Sequence, residues 1–492
     1  MRDLQIEFIT NSGTKRWVRI LSFIEREQSF KVVALADHLG ISQRTLIKDI
    51  QAIKAHFGES IDLRSSNSGF YFEELDRVMY QERKEKLLEK ELLFEIIEQI
   101  FLGEATDIDE IAHHYSYAES TVRRFLSRVQ PALAAYGLTM TFNPIGFLGE
   151  EGSIRKFFYD FYYSSAQTSY TVRPPEGLHQ LFLRELSEEV GNYEVGTGLS
   201  TSAFYSLLYI TIIRVQQGQY ITVPKQLEAI VFQEKDFQFL LRLTSAIENE
   251  YGVSLPKEEF VWIYLMLICT RPIDRLDQEL RFLERFNQEK EINEIAVNFF
   301  SDPRFDRWNR SVLETFLTSF LVSRRLNEVI CPTWNKQQKE ETDLIKENHQ
   351  EAYGSNVSFL MNHQNVLSFN KNYFEDIAVS FTMFTDLLVT YYQPVKSILF
   401  LLEGDPILVQ TIRLQAHRYL GNQYQLVFLP LQELTEERLK SEQTDLIVTN
   451  YRPYIFDYTL TEDYILLSTI PTQKDWNRIK FKLNPLIERF YL

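Results

Sequence analysis

Cysteine is almost missing from this chain: Cys269 and Cys331 are the only two in 492 residues. Thiols so far apart build neither a disulfide framework nor a metal site, and they fit a reducing compartment. Long apolar runs are missing too. The longest, Tyr205 to Ile213 and Phe260 to Cys269, fall well short of the roughly 20 residues that span a bilayer, so they read as buried helices. The opening Met1-Arg-Asp-Leu-Gln-Ile-Glu carries no apolar signal region, and a cytoplasmic location without membrane contact is expected. No glycine-rich loop is present to cradle a phosphate, the turn Glu403-Gly-Asp-Pro406 being short and acidic. The histidines offer no metal spacing, since His113 and His114, as neighbours, point to different faces of a helix. No motif assembles Ser, His and Asp into a nucleophile system, so neither catalysis nor a cofactor is expected. Positive charge is short as well: 52 Lys and Arg stand against 68 Asp and Glu, a net charge of −16.

What is present is enough apolar surface for several cores: 45% of residues are apolar and 14% aromatic. Length alone predicts about three domains, and four or five if each is small. One stretch organises the chain, Ala34 to Phe57. Leu35, Ala36 and Leu39 mark the inner face of a short helix, and Gly40 suits the left-handed end of it. Ile41 plugs the corner and Ser42 caps a second helix. Leu46, Ile50, Ile53 and Phe57 then recur at helical spacing as its buried stripe. Gln43, Arg44, Thr45 and Lys48 must face away. Two helices joined by a glycine corner, with donors at the start of the second, form the arrangement that enters a DNA major groove.

The pattern returns at Ile111 to Val129, in register without gaps: Thr121 follows Thr45 by 121 − 45 = 76 positions. At that offset Ala36 meets Ala112, Leu46 meets Val122, Ile50 meets Leu126 and Ile53 meets Val129. Each copy is followed by a polar turn and a Gly-aromatic strand, Ser65 to Phe72 and Asn143 to Leu148, which reads as a β-hairpin wing. Two winged helices in tandem predict contact with double-stranded DNA. The residues expected at DNA are Ser42, Gln43, Arg44, Thr45 and Lys48 with Arg64 and Asn67 of the first wing, then Ser120, Thr121, Arg123, Arg124 and Arg128. An acidic body behind two locally basic edges would confine DNA to those edges.

The modules are expected at residues 1–75 and 76–152, joined by one long helix over Asp76 to Gly103. Helical segments follow for more than two hundred residues, among them Ser202 to Gln217, Asp236 to Tyr251 and Lys257 to Cys269. The block from Glu289 to Tyr392 reads as a weaker copy of the one before it. From Pro394 apolar strands alternate with helices: Lys396 to Gly404, Gln425 to Leu429, Asp445 to Thr449 and Tyr464 to Leu467, with helices over Asp405 to Leu420 and Glu433 to Lys440. That alternation predicts a small parallel α/β domain. The fold class is therefore multidomain and mainly α.

This order of parts resembles the Mga/AtxA family of transcriptional regulators of Gram-positive bacteria, over essentially the whole chain. The resemblance implies two helical domains like the phosphotransferase-system regulation domain (PRD), here 153–285 and 286–393, and a domain like a sugar-transporter IIB component at 394–492. The regulation-domain signature corresponds to Arg214, Gly218, Pro224, Pro256 and Glu259. The implied function is a homodimeric activator of virulence or carbohydrate-linked genes that meets RNA polymerase and a phosphocarrier and is tuned by histidine phosphorylation. The chain departs from that pattern where it matters most. The positions expected to hold phosphohistidines are Leu207 and Met266, with Ser380 or Phe381 in the second repeat, and the IIB cysteine falls on Leu402. The histidines left as candidate acceptors are His179, after the Pro174-Pro175 loop, and His349 and His363, expected either side of a helix break at Gly354. A phosphotransferase-type carrier localised by its DNA modules, or a helical scaffold with no controlled state, are the alternative functions. An apolar surplus that includes Phe359, Phe381, Phe384, Tyr391 and Phe400 predicts self-association through the C-terminal half.

Overall fold

The computed structural model describes residues 3–483 except 67–68, 90, 105, 165–169, 187–200, 422, 430–432, 434, 436–443 and 454–463. It divides into two units, Met1–Thr390 and Tyr391–Leu492.

The first unit opens with α1 (Asp3–Glu7) and α2 (Ser12–Glu27). Asn11 caps α2, its side chain accepting from the Gly13 and Thr14 N–H groups. A two-residue strand β1 (Ser29–Phe30), α3 (Val32–Leu39) and α4 (Gln43–Phe57) follow, then the hairpin β2 (Ile61–Ser66) and β3 (Gly69–Glu74). The strands lie in the order β1-β3-β2, all antiparallel. Ile20, Leu21 and Ile24 of α2 pack with Leu35, Leu46, Ile50, Ile53, Phe57, Leu63 and Phe72 into one core. Gly69 at the wing turn has φ +142, and a Cβ there would meet the Phe30 carbonyl oxygen at 2.3 Å. The glycine is what lets β1 close against the wing.

The expected single linking helix is two helices, α5 (Arg77–Lys86) and α6 (Leu92–Leu102). The break has a physical cause at Glu91, whose buried carboxylate accepts from the Thr10 N–H and hydroxyl, both at 2.7 Å. Pinning Glu91 to the chain before α2 stops α5 from running on. The second module then consists of α7 (Ile108–His114), α8 (Glu119–Ala134), and the hairpin β4 (Thr139–Phe142) and β5 (Ile145–Leu148). Helix α9 (Glu151–Tyr162) is buried along most of its length. Phe157 and Phe161 of α9 pack against Phe8, so the segment containing α1 docks on the second module rather than on the first.

Helices α10 (Glu176–Leu186), α11 (Thr201–Gln216), α12 (Lys225–Val231), α13 (Lys235–Leu240), α14 (Leu243–Tyr251) and α15 (Lys257–Ile268) come next. The helix expected over Asp236 to Tyr251 is divided between α13 and α14. Then follow α16 (Leu276–Phe286), α17 (Lys290–Phe300), α18 (Arg310–Ile330), α19 (Lys339–Asn348), α20 (Gln350–Asn362), α21 (Gln364–Leu367) and α22 (Phe374–Tyr391). Gly354 sits inside α20, not at a break; the helices end at His349 and His363 themselves. Among the described residues no helix is long and apolar enough to cross a membrane.

The second unit is a parallel sheet, β6 (Ser397–Leu401), β7 (Gln425–Phe428), β8 (Leu446–Thr449) and β9 (Tyr464–Leu466), in the order β7-β6-β8-β9. Helices α23 (Pro406–Leu420) and α24 (Gln473–Leu483) supply Ile412, Ala416, Leu420, Trp476 and Ile479 to the core formed with Ile398, Phe400, Leu446 and Val448. Leu399, Leu401 and Ile447 form a second cluster on the opposite sheet face. Burial on both faces explains why these strands read as unbroken apolar runs. The helix expected over Glu433 to Lys440 lies largely outside the described residues.

Candidate nucleic-acid interface

The first corner is built by backbone geometry before any side chain reaches outward. Gly40 takes φ 64, and its N–H closes on the carbonyls of α3. Ser42 Oγ accepts from the Thr45 N–H at 3.1 Å and lies 2.8 Å from Thr45 Oγ1. Both hydroxyls are therefore engaged in capping α4. Leu46, Ile50, Ile53 and Phe57 turn inward, which leaves Gln43, Arg44 and Lys48 exposed. Arg44 and Lys48 have no ion-pair or hydrogen-bond partner among the described residues. Ile47, also 41% exposed, adds an apolar patch to this face.

What holds α4 in place was not anticipated. Asp49, on the flank of the inner stripe, is 6% exposed and accepts from Arg16 (Nη2 to Oδ1 3.0 Å, and a second bond from Nε) and from Trp17 Nε1 at 3.3 Å. This clamp joins α2 to the recognition helix. A single acid on an otherwise basic helix was the signal that could have exposed it. A second unanticipated clamp joins the linker to the module: Lys84 Nζ meets Glu25 at 2.6 Å, and Arg83 donates to the Phe57 carbonyl.

Arg64 is placed on the wing and is exposed, but its guanidinium is already engaged along the wing surface. It pairs with Asp62 at 2.7 Å and with Glu73 at 3.6 Å, and its guanidinium lies over Tyr71. Asn67 lies outside the described residues.

The second corner repeats the first with different chemistry. Ser116 occupies the position of Gly40 and takes φ 55, a left-handed residue without glycine's freedom. Ala118 stands at the N-cap where the first copy has Ser42, so α8 starts without a side-chain cap. Ser120 is exposed and Thr121 half-buried. Arg123 and Arg124 are exposed and unpaired by any acid among the described residues; Arg123 lies over Phe142 of the wing at 5.6 Å, Arg124 over Phe125 at 5.8 Å. The aromatic rests extend two cations outward while shielding their stems. Arg128 differs. Its Nη2 donates to the Ile9 carbonyl at 2.7 Å, so this guanidinium fastens the chain after α1 to α8.

Behind the second module, two of the signature residues, Arg214 and Glu259, are joined into one network through Glu151 and Arg155 of α9. Arg214 meets Glu151 (Nε to Oε1 3.0 Å, Nη2 to Oε2 2.8 Å), Glu151 also accepts from Arg155 Nε at 2.9 Å, and Arg155 Nη2 reaches Glu259 Oε1 at 3.2 Å. Burial alone would raise the Glu151 pKa, but Arg214 and Arg155 hold it below the ordinary carboxylate value. Gln217 Nε2 completes the tie by donating to the Phe101 carbonyl at 2.7 Å. Leu207 and Met266 are 3% and 5% exposed, part of helix packing. Of the candidate histidines, His179 is exposed with its ring 4.9 Å from Tyr205, and His349 is half-buried between α19 and α20. His363 has both ring nitrogens engaged, Nδ1 with the Phe359 carbonyl at 2.8 Å and Nε2 with Asn298 at 3.3 Å.

Comparison with known proteins gives residues 77–162 as an Mga helix-turn-helix domain and 185–269 as a PRD domain. The first match contains the second corner with Arg123 and Arg124. The chain thus carries an Mga helix-turn-helix domain and a PRD domain, and two relatives are similar to it along most of its length. It is 21% identical over 489 residues to a Streptococcus pneumoniae protein named as a trans-acting regulator, covering 92% of this chain and 93% of that one. It is 19% identical to the anthrax toxin expression trans-acting positive regulator of Bacillus anthracis, covering 94% and 97% of the two chains. It is 24% identical to the capsule synthesis positive regulator AcpB of the same organism, over 51% of this chain and 53% of that one. All three relatives are named as regulators, two of them as trans-acting and two as positive. The helix-turn-helix domain makes DNA the partner of this chain.

Proposed function

We propose that the chain is a dimeric transcriptional activator that grips DNA with both winged helices and takes its regulatory state from the helical and α/β domains. The observation that carries this reading is a matched pair of basic faces. Lys48 on α4 and Arg124 on α8 each stand eight residues after a left-handed corner, Gly40 and Ser116, with Arg44 and Arg123 exposed on the same two helices and no acid among the described residues neutralising any of the four. On a chain of net charge −16, unpaired cations at two such corners are where phosphates can approach. Two relatives named as positive regulators, of capsule synthesis and of anthrax toxin expression, support activation rather than repression and a virulence-linked target set. RNA polymerase is then the expected partner at the promoter.

The experiment is a binding titration on genomic fragments across a salt series. Arg44→Ala with Lys48→Ala should flatten the salt dependence by about one unit of log slope for each phosphate that is no longer neutralised. Unchanged binding in that double variant at moderate salt removes the first module from the interface.

The turn after β6 gives no support to a phosphoryl carrier. Leu402 packs against the core, and the Asn450 amide closes the turn, accepting from the Glu403 N–H at 2.9 Å and donating to its carbonyl at 2.8 Å.

A further inference from the structure

A cavity of about 520 Å³ opens where the end of α15 meets α16, α18, α19 and α22. A smaller one of about 240 Å³, lined by Leu207 and Met266, lies on the other side of Arg324; Arg324 and Cys269 line both. The walls of the larger cavity are aromatic and aliphatic, with Phe316 and Phe320 buried at its base and Met383 and Leu387 exposed at its rim by 41% and 51%. Apolar side chains left open to water around a concave space are the usual mark of a small-molecule site.

The charge in the wall is the decisive feature. Arg324 lies over the Phe320 ring at 4.8 Å, and its Nε is cut off from solvent with no hydrogen-bond partner among the described residues. No carboxylate among them pairs with it. The neighbouring Arg271 is not comparable, because Glu279 neutralises it through two bonds of 2.9 and 2.8 Å. Burial pushes the Cys269 thiol up to about 11, so it adds no negative charge at neutral pH, and Asp386 sits exposed at the rim. Burial lowers Arg324 to about 10, which still leaves it charged. Across Arg324 the second cavity contributes the Lys156–Asp160 pair together with Lys336 and Glu341, opposite charges that leave the guanidinium uncompensated. A half-buried cation whose Nε is shut off from solvent without a partner is costly unless an anion joins it.

We propose that this cavity binds a small monocarboxylate with an aromatic or aliphatic body, the carboxylate bonding to Arg324 and the body filling the apolar space. A single guanidinium matches one negative charge and the planar fork matches a carboxylate. The site lies where the PRD match ends, at Cys269, and where the following helices begin, so a bound ligand would bridge the two sets of helices. It does not depend on the reading of the DNA interface.

The test is thermal shift and calorimetric titration of the full chain with benzoate, hexanoate and 4-phenylbutyrate, against 4-phenylbutyramide and inorganic phosphate. A carboxylate with an apolar body, at ten times its Kd, should raise Tm by at least about 1 °C. The amide and inorganic phosphate should not. Arg324→Met should weaken the bound carboxylate at least about tenfold. Exposed Asp386→Asn should tighten it by roughly two- to threefold through loss of a repelling charge, and decides the matter if Arg324→Met does not fold. No shift with any of the three carboxylates, an equal shift with the amide, or unchanged affinity in both variants would overturn the proposal.

Discussion

The arginines of the two recognition helices show that residue type and spacing do not settle a role; the partner does. Arg44, Arg123 and Arg124 point outward unpaired, whereas Arg64 and Arg128 belong to the same predicted set and are already bonded within the chain. Arg123→Ala should therefore weaken DNA binding and lower the salt slope by about one. Arg128→Ala should instead cost about 1 kcal/mol of folding stability with a nearly unchanged salt slope, since its bond goes to a carbonyl. Chemical denaturation and DNA titration on the same two variants separate the roles. The histidines divide by the same logic. Phosphorylation needs a free ring nitrogen, and His363 has none. Incubation with the general phosphocarrier, its kinase and phosphoenolpyruvate, followed by mass spectrometry that preserves phosphohistidine, should place any label on His179. Label on His363 would show that its capping bonds open in solution.

Corners and clamps belong to the scale of elements. Both corners need a left-handed residue, and that requirement was legible from Gly40 but not from Ser116, which carries no glycine to announce it. Left-handed backbone costs an ordinary L-residue roughly 1–2 kcal/mol, so Ser116→Gly should stabilise the second module by about 1 kcal/mol. At the wing, Gly69→Ala should destabilise by about 1–3 kcal/mol because the Phe30 carbonyl cannot withdraw without undoing β1. The helical stripes, the wings and the parallel strands were readable because burial imposes a period on the sequence. The split between α5 and α6 was not, because its cause is a contact from Glu91 to Thr10, some eighty positions away. The Asp49 clamp escaped notice for the same reason: Arg16 and Trp17 lie on another helix. Long-range polar partners leave no periodic trace.

At the scale of the whole molecule, the Arg214–Glu151–Arg155–Glu259 network ties the helix-turn-helix region to the PRD region, and it sets a pH dependence. Glu151 is held below the ordinary value of 4.5, so its contribution is fully present above that pH and is lost as pH falls through its folded pKa. Glu328 and Asp376, both raised chiefly by burial, act in the opposite sense, since protonation of each favours the fold. Glu151→Gln should thus be less stable than the parent at pH 7, by about 3 kcal/mol for a broken buried ion-pair network. That difference should narrow as pH falls below about 4. Urea melts of both proteins from pH 3.5 to 7 give the comparison, and a constant gap across that range would mean that Glu151 is not the ionised centre of the network.

Of the five aromatic residues that predicted self-association, four are taken up in packing, and Tyr391 is 54% exposed. Phe381 and Phe400 are 0% and 1% exposed, Phe359 meets Phe299 edge to face, and Phe384 stacks on Phe320. Among the open apolar side chains of the second unit, Ile407 and Leu414 share one face of α23, seven residues apart and so on one side of the helix, and are 78% and 71% exposed. A two-fold axis through that face would cover both side chains twice and set four DNA modules on one particle, so that weak contacts multiply through effective concentration. Ile407→Glu with Leu414→Glu should leave the fold intact, as neither side chain enters the core, and should shift sedimentation from dimer to monomer. A chain ending near Tyr392 should sediment as monomer too. If that shortened chain dimerises as tightly as the full one, the α/β unit is not the interface; if the double variant alone stays dimeric, the contact uses a different face of that unit. With either loss of the dimer, affinity for a two-site DNA should fall by at least about tenfold, whereas affinity for a single site should hold.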